Sequence, residues 1–231
     1  MESDQWLSYF ERNERRPSPD TPATLEPLSP ALQAPLVQAL QCFQLGEAGG
    51  GSLTERARRS KDPALDDELR AAIGFYVREE GRHARELARL LRAMGATTIK
   101  KLTSDWLFAK SRRLLGLRGK MAVIAVAEVV GSTFYTILAT RVPCPHVAEV
   151  ARVIGIDEDR HLDFQRDYFR RVLAVSHPLV RPFVALGLWG WFLGVLSGAI
   201  VSVAFGQRKL FLALGLGPVA FAGLCVHRLW R

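Results

Sequence analysis

The amino-acid sequence predicts an all-α protein, in which a four-helix bundle is followed by a C-terminal pair of hydrophobic helices. Three observations support this prediction. Apolar residues recur at helical spacing through most of residues 31–176. A Glu-x-x-His motif occurs twice within that region, at residues 80–83 and 158–161. Two uncharged runs, 182–207 and 210–226, follow near the end of the chain.

Residues 1–30 precede the first helical pattern and are rich in Pro, Ser, Glu and Arg. They show no sustained period, so we expect a poorly ordered leader. This segment is charged and has no apolar core, so we do not expect a cleaved secretory signal.

The first two bundle helices are indicated by apolar stripes and by helix-start signals. The first stripe begins at residue 31 and runs through Phe43 to Glu47, before the Gly49-Gly50-Gly51 triplet. That triplet either ends the helix or lets a neighbouring backbone come close. Asp62-Pro63 is a good start for the second helix, with aspartate as N-cap and proline in the first turn. Its stripe ends near Gly95.

The last two bundle helices differ in character. Residues 121–140 are almost wholly apolar and contain one charge, Glu128. A helix that is hydrophobic all round is expected at the centre of a bundle as well as in a membrane, and we assign this one to the bundle. A Pro-Cys-Pro turn at residues 143–145 opens the next helix, and His177-Pro178 breaks its pattern.

Two segments of the chain match each other 78 residues apart, Glu79-Glu80-Gly81-Arg82-His83 and Asp157-Glu158-Asp159-Arg160-His161. Positions i and i+3 share one face of a helix, so each Glu-x-x-His presents a carboxylate and an imidazole to the same point. Glu47 precedes the first motif by 33 residues, and Glu128 precedes the second by 30. The four predicted helices therefore carry Glu, Glu-x-x-His, Glu and Glu-x-x-His in turn.

These side chains lie on apolar stripes, where carboxylates need pairing or a metal. Two cations would neutralise the four carboxylates, and mixed carboxylate and imidazole ligation suits iron or manganese better than structural zinc. The three cysteines form no CxxC pair, which excludes a zinc knuckle or a rubredoxin-type site and favours a reduced compartment. The predicted metal ligands are Glu47, Glu80, His83, Glu128, Glu158 and His161.

This ligand pattern resembles the ferritin-like di-iron carboxylate superfamily, which includes rubrerythrins, soluble desaturases and demethoxyubiquinone hydroxylase. The resemblance covers residues 31–176 and is closest to uncharacterised bacterial ferritin-like proteins. It implies a four-helix bundle that binds two iron ions, with manganese as an alternative. The chain differs from rubrerythrin because it lacks a cysteine-ligated electron-transfer module, and residues 177–231 lie outside the superfamily pattern.

Three further residues stand close to the predicted ligands, and each has two interpretations. Glu79 and Asp157 either orient the histidines or are solvated neighbours of the ligands. Tyr135 lies two turns beyond Glu128 on the same face, so it either approaches the metals as a catalytic group or packs in the core.

The C-terminal residues 177–231 predict a transmembrane helical hairpin, with the alternative of a hydrophobic pair buried in an oligomer. The run 182–207 has 26 uncharged residues and the run 210–226 has 17, against about 20 needed to span a bilayer. Gly190, Gly194 and Gly198 form a small-residue face on which a second helix would pack closely. Most basic residues flank the hairpin instead of its turn, which places the bundle on the cytoplasmic side.

Residues 99–120 are basic and carry interleaved apolar residues, and the whole chain has a net charge of +8. The segment either lies on anionic headgroups, with Trp106 and Phe108 at the interface, or is a solvated connection. We expect no nucleic-acid partner, because no recognition motif accompanies the charge.

The predicted site and the predicted anchor favour a membrane-anchored di-iron oxidoreductase. It would activate dioxygen and hydroxylate, desaturate or oxidise a lipophilic substrate, with electrons from an unidentified donor. The main alternative is an iron-handling protein, either a ferroxidase, an iron carrier or a peroxidase. A membrane-tethered structural bundle is a third reading, which the complete set of six ligands disfavours.

Overall fold

A computed structural model of the chain, which describes residues 1–100 and 116–229, is all-helical. No strand occurs within these described ranges, so the prediction of an all-α protein is confirmed for them. A short 3-10 helix, Ala48–Gly51, follows the second helix. The α-helices are α1 Ser3–Glu14, α2 Pro30–Glu47, α3 Ser52–Arg59, α4 Asp67–Ala93, α5 Leu117–Arg141, α6 Pro145–Ala174, α7 Arg181–Gly206, α8 Arg208–Ala213 and α9 Pro218–Leu229.

The N-terminal segment differs from the prediction of a poorly ordered leader, because residues 3–14 form α1. Its apolar side chains Trp6 and Phe10 are four residues apart on one helix face, and both are buried. The indole Nε1 of Trp6 donates to Asp167 of α6 at 3.0 Å, and α1 packs along α4. The two large aromatic side chains thus bury enough apolar surface to order a segment that looks polar by composition.

Helices α2 and α4 begin and end where backbone chemistry dictates. Proline opens α2, and the helix ends at Glu47, where the glycine triplet tightens into the 3-10 helix. Helix α4 begins at Asp67, because Asp66 caps it by accepting from the Leu69 N–H at 2.8 Å. This start is later than the predicted one at Asp62-Pro63, since Asp62 instead pairs with Arg118 of α5.

Helices α5 and α6 form a hairpin with a short connection. In the most apolar part of α5, 83% of the residues are buried, which agrees with the assignment of this helix to the centre of the bundle. Helix α6 starts at Pro145, in the predicted Pro-Cys-Pro turn, and ends before His177-Pro178. Across the bundle, Phe43 of α2 stacks on Phe134 of α5 with ring centroids 3.7 Å apart.

The apolar core is divided into two clusters, and the predicted ligands lie between them. One cluster includes Leu36 and Leu40 of α2, and Leu87 and Leu91 from the later part of α4. The other includes residues 69–76 from the beginning of α4, together with aromatic residues of α1 and α6. Positions 80–83 of α4 fall between these two parts, so the acidic cluster is closed off by apolar side chains at both ends.

In the C-terminal segment, the structure agrees with the first predicted helix of the hairpin but not with the second. Helix α7 matches the first uncharged run and, with the mostly buried α5, is one of two described helices long and apolar enough to cross a membrane. The second run is instead split into α8 and α9 by a turn at Gly215, where φ is +67°. The 12 residues of α9 span about 18 Å, short of a hydrocarbon core of roughly 30 Å.

The small-residue face of α7 also differs from its predicted role. A Cβ atom built on Gly190, Gly194 or Gly198 would meet nothing within 4 Å among the described residues. Helix α7 contacts α5 through a different face, which includes the buried Leu196 and Ile200. The predictions for the basic segment 99–120, including Trp106 and Phe108, concern residues that lie mainly outside the described ranges.

Candidate metal centre

The structure brings the six predicted ligands together in the middle of the bundle. Their side-chain atoms form two groups, and in each group the candidate ligand atoms lie within 4.8 Å of one another. Glu80 and Glu158 belong to both groups, so two neighbouring metal positions would share them. The first group is Glu47, Glu80, His83 and Glu158, and the second is Glu80, Glu128, Glu158 and His161.

The two histidines point the same ring atom at the carboxylates. His161 Nδ1 lies 3.1 Å from Glu80 Oε1 and 3.4 Å from Glu128 Oε2. His83 Nδ1 lies 3.2 Å from Glu158 Oε1. Each imidazole therefore presents one nitrogen to a point already surrounded by carboxylate oxygens.

Glycine at position 131 allows α5 to approach the shared carboxylate Glu158. A Cβ atom at Gly131 would lie 3.2 Å from Glu158 Oε2, which is tighter than an ordinary contact. A side chain at this position would therefore push the shared glutamate away from its present place.

Within the described part of the chain, several candidate ligands have buried polar atoms without a hydrogen-bond partner, which is what a metal-binding site requires. Glu80 Oε1, Glu158 Oε1, His83 Nδ1 and His161 Nδ1 are buried and have no hydrogen-bond partner among the described residues. Leaving a buried polar atom unpaired costs roughly 1–3 kcal/mol, and more when the group is charged. The four atoms belong to the two adjoining ligand groups, so cations bound in those two positions would satisfy them.

Glu79 and Asp157 are buried and contact the histidines, so the interpretation as solvated neighbours is not supported. The Asp157 Oδ2 atom lies 3.1 Å from His83 Nε2, and the Glu79 Oε2 atom lies 3.1 Å from His161 Nε2. A carboxylate bonded to Nε2 fixes the proton on that nitrogen and leaves Nδ1 free to bind a metal. The bonds cross over, because each histidine is oriented by a carboxylate of the opposite motif.

Helix α1 and the residues after it complete this outer layer. The Arg82 guanidinium contacts both Glu79 and Asp157, and also donates to the backbone oxygen of Asn13 at 2.6 Å. The Asn13 amide donates to both carboxylates, and Arg16 forms an ion pair with Asp157. The trio of Glu79, His83 and Asp157 also has metal-binding spacing, but the guanidinium of Arg82 already pairs with its carboxylates.

The sequence analysis predicted neither Asn13 nor Arg16, because the segment that carries them was expected to be a poorly ordered leader. The motif itself contained a signal for Arg82, which stands at the same place as Arg160 in the second copy. The two arginines have different environments, since the Arg160 side chain is 53% exposed and pairs with Asp163 at the surface.

Two buried tyrosines contact the two glutamates that belong to only one ligand group each, Glu47 and Glu128. The Tyr135 hydroxyl donates to Glu47 Oε1 at 2.6 Å, and the Tyr76 hydroxyl donates to Glu128. Tyr135 was one of the candidates from the sequence, whereas Tyr76 was counted only as an apolar stripe residue. Its position four residues before Glu80, on the same face of α4, was the available signal.

The carboxylates and histidines of the cluster influence one another's proton affinity. Burial, followed by the repulsion of neighbouring carboxylates, raises the pKa of Glu47 and Glu158 well above the ordinary value. Burial is the largest single influence and would lower the pKa of His161, but the neighbouring carboxylates Glu128, Glu79 and Glu80 together outweigh it and raise that pKa. Without a metal, protons therefore reside on part of this cluster, and a cation would displace them when it binds.

Comparisons with known proteins identify no relative, since no family model, curated protein or solved structure matches the chain. The class of the protein is therefore defined by its fold and its site. It is an all-helical protein with a buried Glu/His cluster that could hold a metal ion.

Proposed function

We propose that the protein is a ferritin-like di-iron oxidoreductase that activates dioxygen and acts on a lipophilic substrate at a membrane. The observation that carries the proposal is the pair of ligand groups joined through Glu80 and Glu158. Two metal positions that share carboxylates suit redox chemistry. A structural role would need only a single closed site.

The donor set favours iron, with manganese as the alternative. Each group offers three carboxylates and one imidazole, which are ligands that suit these metals. Bound in these positions, the metal pair would supply the electrons and the open coordination sites that dioxygen chemistry needs. The electron donor is an unidentified partner.

The protein's own residues would orient the ligands, exclude water and hold protons near the site. Glu79 and Asp157 hold the imidazoles, and apolar residues close the cluster at both ends. The Tyr76 and Tyr135 hydroxyls are buried donors next to Glu128 and Glu47. These hydroxyls lie where they can steady carboxylates whose charge changes during turnover.

The membrane location rests on α7. This helix has 26 residues, and only 17% of the residues in its most apolar part are buried within the protein. An exposed apolar surface of this kind marks an interaction site, and a lipid environment would bring a lipophilic substrate to the bundle. The basic residues at both ends of α7 favour the anionic cytoplasmic leaflet, which supports a bundle on the cytoplasmic side.

Aerobic turnover of the ferrous protein with a membrane lipid extract tests the proposal. We expect consumption of dioxygen together with a new oxidised lipid product detected by mass spectrometry. The variant Glu128→Ala should abolish the product, whereas Glu149→Ala, at an exposed glutamate of α6, should not. Oxidation of the protein's own iron to ferric mineral, with no organic product, would instead support the iron-handling function.

A further inference from the structure

We propose that α7 lies in the plane of a single membrane leaflet and does not cross the bilayer. Its exposed apolar face would lie among the acyl chains, while the basic residues at its two ends contact anionic headgroups. The inference rests on the membrane location in the proposed function, and it specifies how the protein meets the membrane.

The outer face of α7 is apolar along the whole helix. Phe183, Leu186 and Phe205 are 73%, 72% and 60% exposed, and Leu193 and Val201 are exposed between them. Their spacing of three to eight residues keeps them on one side of the helix. An exposed apolar face of this length marks a surface that a membrane or another protein covers.

The opposite face of α7 is attached lengthwise to the bundle. Leu188 is partly buried and packs against the cluster that contains Leu117 and Met121 of α5. Leu196 and Ile200 belong to the other core cluster, which includes the later part of α5. Helix α7 therefore follows α5 along the bundle and does not project away from it.

Helices α8 and α9 are attached to the bundle in the same way. The Arg228 guanidinium donates to Ser132 Oγ of α5 at 3.0 Å and pairs with Asp159 of α6 at 3.2 Å. The Arg141 side chain donates to the backbone oxygen of Leu214 at 3.2 Å. These contacts hold the second uncharged run against α5, so it cannot serve as the returning arm of a membrane-spanning pair.

A bilayer crossed by α7 would also have to enclose charged surface on α6. Helix α6 pairs with α5 and carries the exposed ion pairs Glu149 with Arg152 and Asp163 with Arg166, followed by the exposed side chain of Arg170. Charged side chains within hydrocarbon are strongly unfavourable. An in-plane orientation leaves these ion pairs in water and still covers the apolar face of α7.

The charges at the ends of α7 favour an anionic membrane over a second copy of this chain. Residues 178–231 contain no Asp or Glu, whereas Arg181 begins α7 and Arg208 and Lys209 follow its end. A surface cavity of about 300 Å³ lies at that second end, lined in part by Gln38, Arg208 and Lys209. Two copies paired through α7 would bring basic ends together in either orientation, whereas anionic headgroups would neutralise them.

The depth of α7 in a bilayer can be measured with a fluorophore at three positions. Phe183 and Phe205 are 22 positions apart, or about 33 Å along the helix, and Leu193 lies between them. We would label Phe183→Cys, Leu193→Cys and Phe205→Cys in the full-length protein, with the native cysteines replaced. Quenching by lipids brominated at defined acyl positions, in vesicles containing phosphatidylglycerol, reports the depth. A label at Arg160→Cys, on the exposed face of α6, is the control.

We expect the same shallow depth at all three positions of α7 and no quenching at residue 160. A label at 193 near the bilayer centre, with 183 and 205 near opposite surfaces, would overturn the proposal in favour of a spanning helix. The absence of quenching, with the labels protected in a dimer or larger assembly, would overturn it in favour of a second copy. Metal content measured on the same samples reports the site separately, because none of these variants changes a candidate ligand.

A charge-reversal pair tests the role of the headgroups. Arg208→Glu with Lys209→Glu should weaken partitioning into phosphatidylglycerol vesicles at least roughly 30-fold, because each basic residue near an anionic surface contributes about fivefold. The matched control is Arg85→Glu with Arg92→Glu, which makes the same charge change at exposed positions of α4. Equal loss in both double variants would overturn the assignment of the headgroup contact to this end of α7.

Discussion

Asp157 and His83 lie on different helices of the bundle, yet the carboxylate of one accepts a hydrogen bond from Nε2 of the other at 3.1 Å. The reciprocal bond joins Glu79 and His161 at the same distance. Each Glu-x-x-His motif is therefore completed by the acidic residue that precedes the glutamate of the other motif. The two halves of the site depend on each other for the orientation of their imidazoles.

The first prediction concerns the number of metal ions. Because Glu80 and Glu158 belong to both ligand groups, we expect two ions per chain, about 3.5–4 Å apart as in other two-metal sites. Glu158→Ala should remove both ions and leave far-ultraviolet helicity mostly intact. Metal analysis after anaerobic iron loading measures the content, with Glu149→Ala as the control. A content of one ion or fewer in the unmodified protein would contradict the prediction.

The second prediction concerns the hydrogen bond between Asp157 and His83. Asp157→Asn keeps the shape of the side chain but removes the charge that fixes the imidazole, so metal affinity should fall about 10- to 100-fold. Competition with a chelator measures that affinity. Asp163→Asn, at the exposed surface of α6, is the matched control and should bind metal normally. Unchanged affinity in Asp157→Asn would show that the histidine needs no such partner.

The third prediction uses the close approach at Gly131. Gly131→Ala adds a methyl group 3.2 Å from Glu158 Oε2, so it should displace the shared carboxylate and lower the metal content. Alanine is the better helix former by about 1 kcal/mol, so helix propensity alone would favour the variant. Gly74→Ala on α4 receives the same gain, and its new atom meets only Thr54 at an ordinary 3.8 Å. Normal metal binding in both variants would mean that α5 is free to shift.

The fourth prediction concerns the pH dependence of stability at the ion pair between Asp62 and Arg118. The Arg118 guanidinium, at 2.6 and 2.7 Å, lowers the pKa of Asp62 below its ordinary value. The pair therefore contributes fully above the unfolded-state pKa, near 3.9, and its contribution is lost as the pH falls through the lower folded-state value. Asp62→Asn should cost roughly 0.5–1 kcal/mol at pH 7 and less at pH 3.

Urea unfolding at the two pH values measures this difference. Asp20→Asn removes an exposed carboxylate from the segment between α1 and α2, and it should change the free energy of unfolding little at either pH. A cost for Asp62→Asn that is the same at pH 3 as at pH 7 would show that the ion pair does not contribute.

The candidate site was largely predictable because its ligands recur at the spacing of a helix. A helix brings residues three apart onto one face, so each Glu-x-x-His fixes half of the site locally. Repetition of the motif, each time after a core-facing glutamate, indicated that the two halves meet. Tyr76 was not predicted as part of the site, because a tyrosine on an apolar stripe looks the same whether its hydroxyl is idle or bonded to Glu128.

The sequence by itself determined the helical class and the six residues that converge, since both depend on local periodicity. Only the tertiary structure decided which distant segments complete the site, such as Asn13 and Arg16 against Asp157. Those contacts join residues more than 140 positions apart, and no local pattern encodes them. The packing of α9 against α5 was decided in the same way. Hydropathy measures how apolar a run is, but contacts such as Arg228 with Ser132 determine whether that run stands apart from the bundle or lies along it.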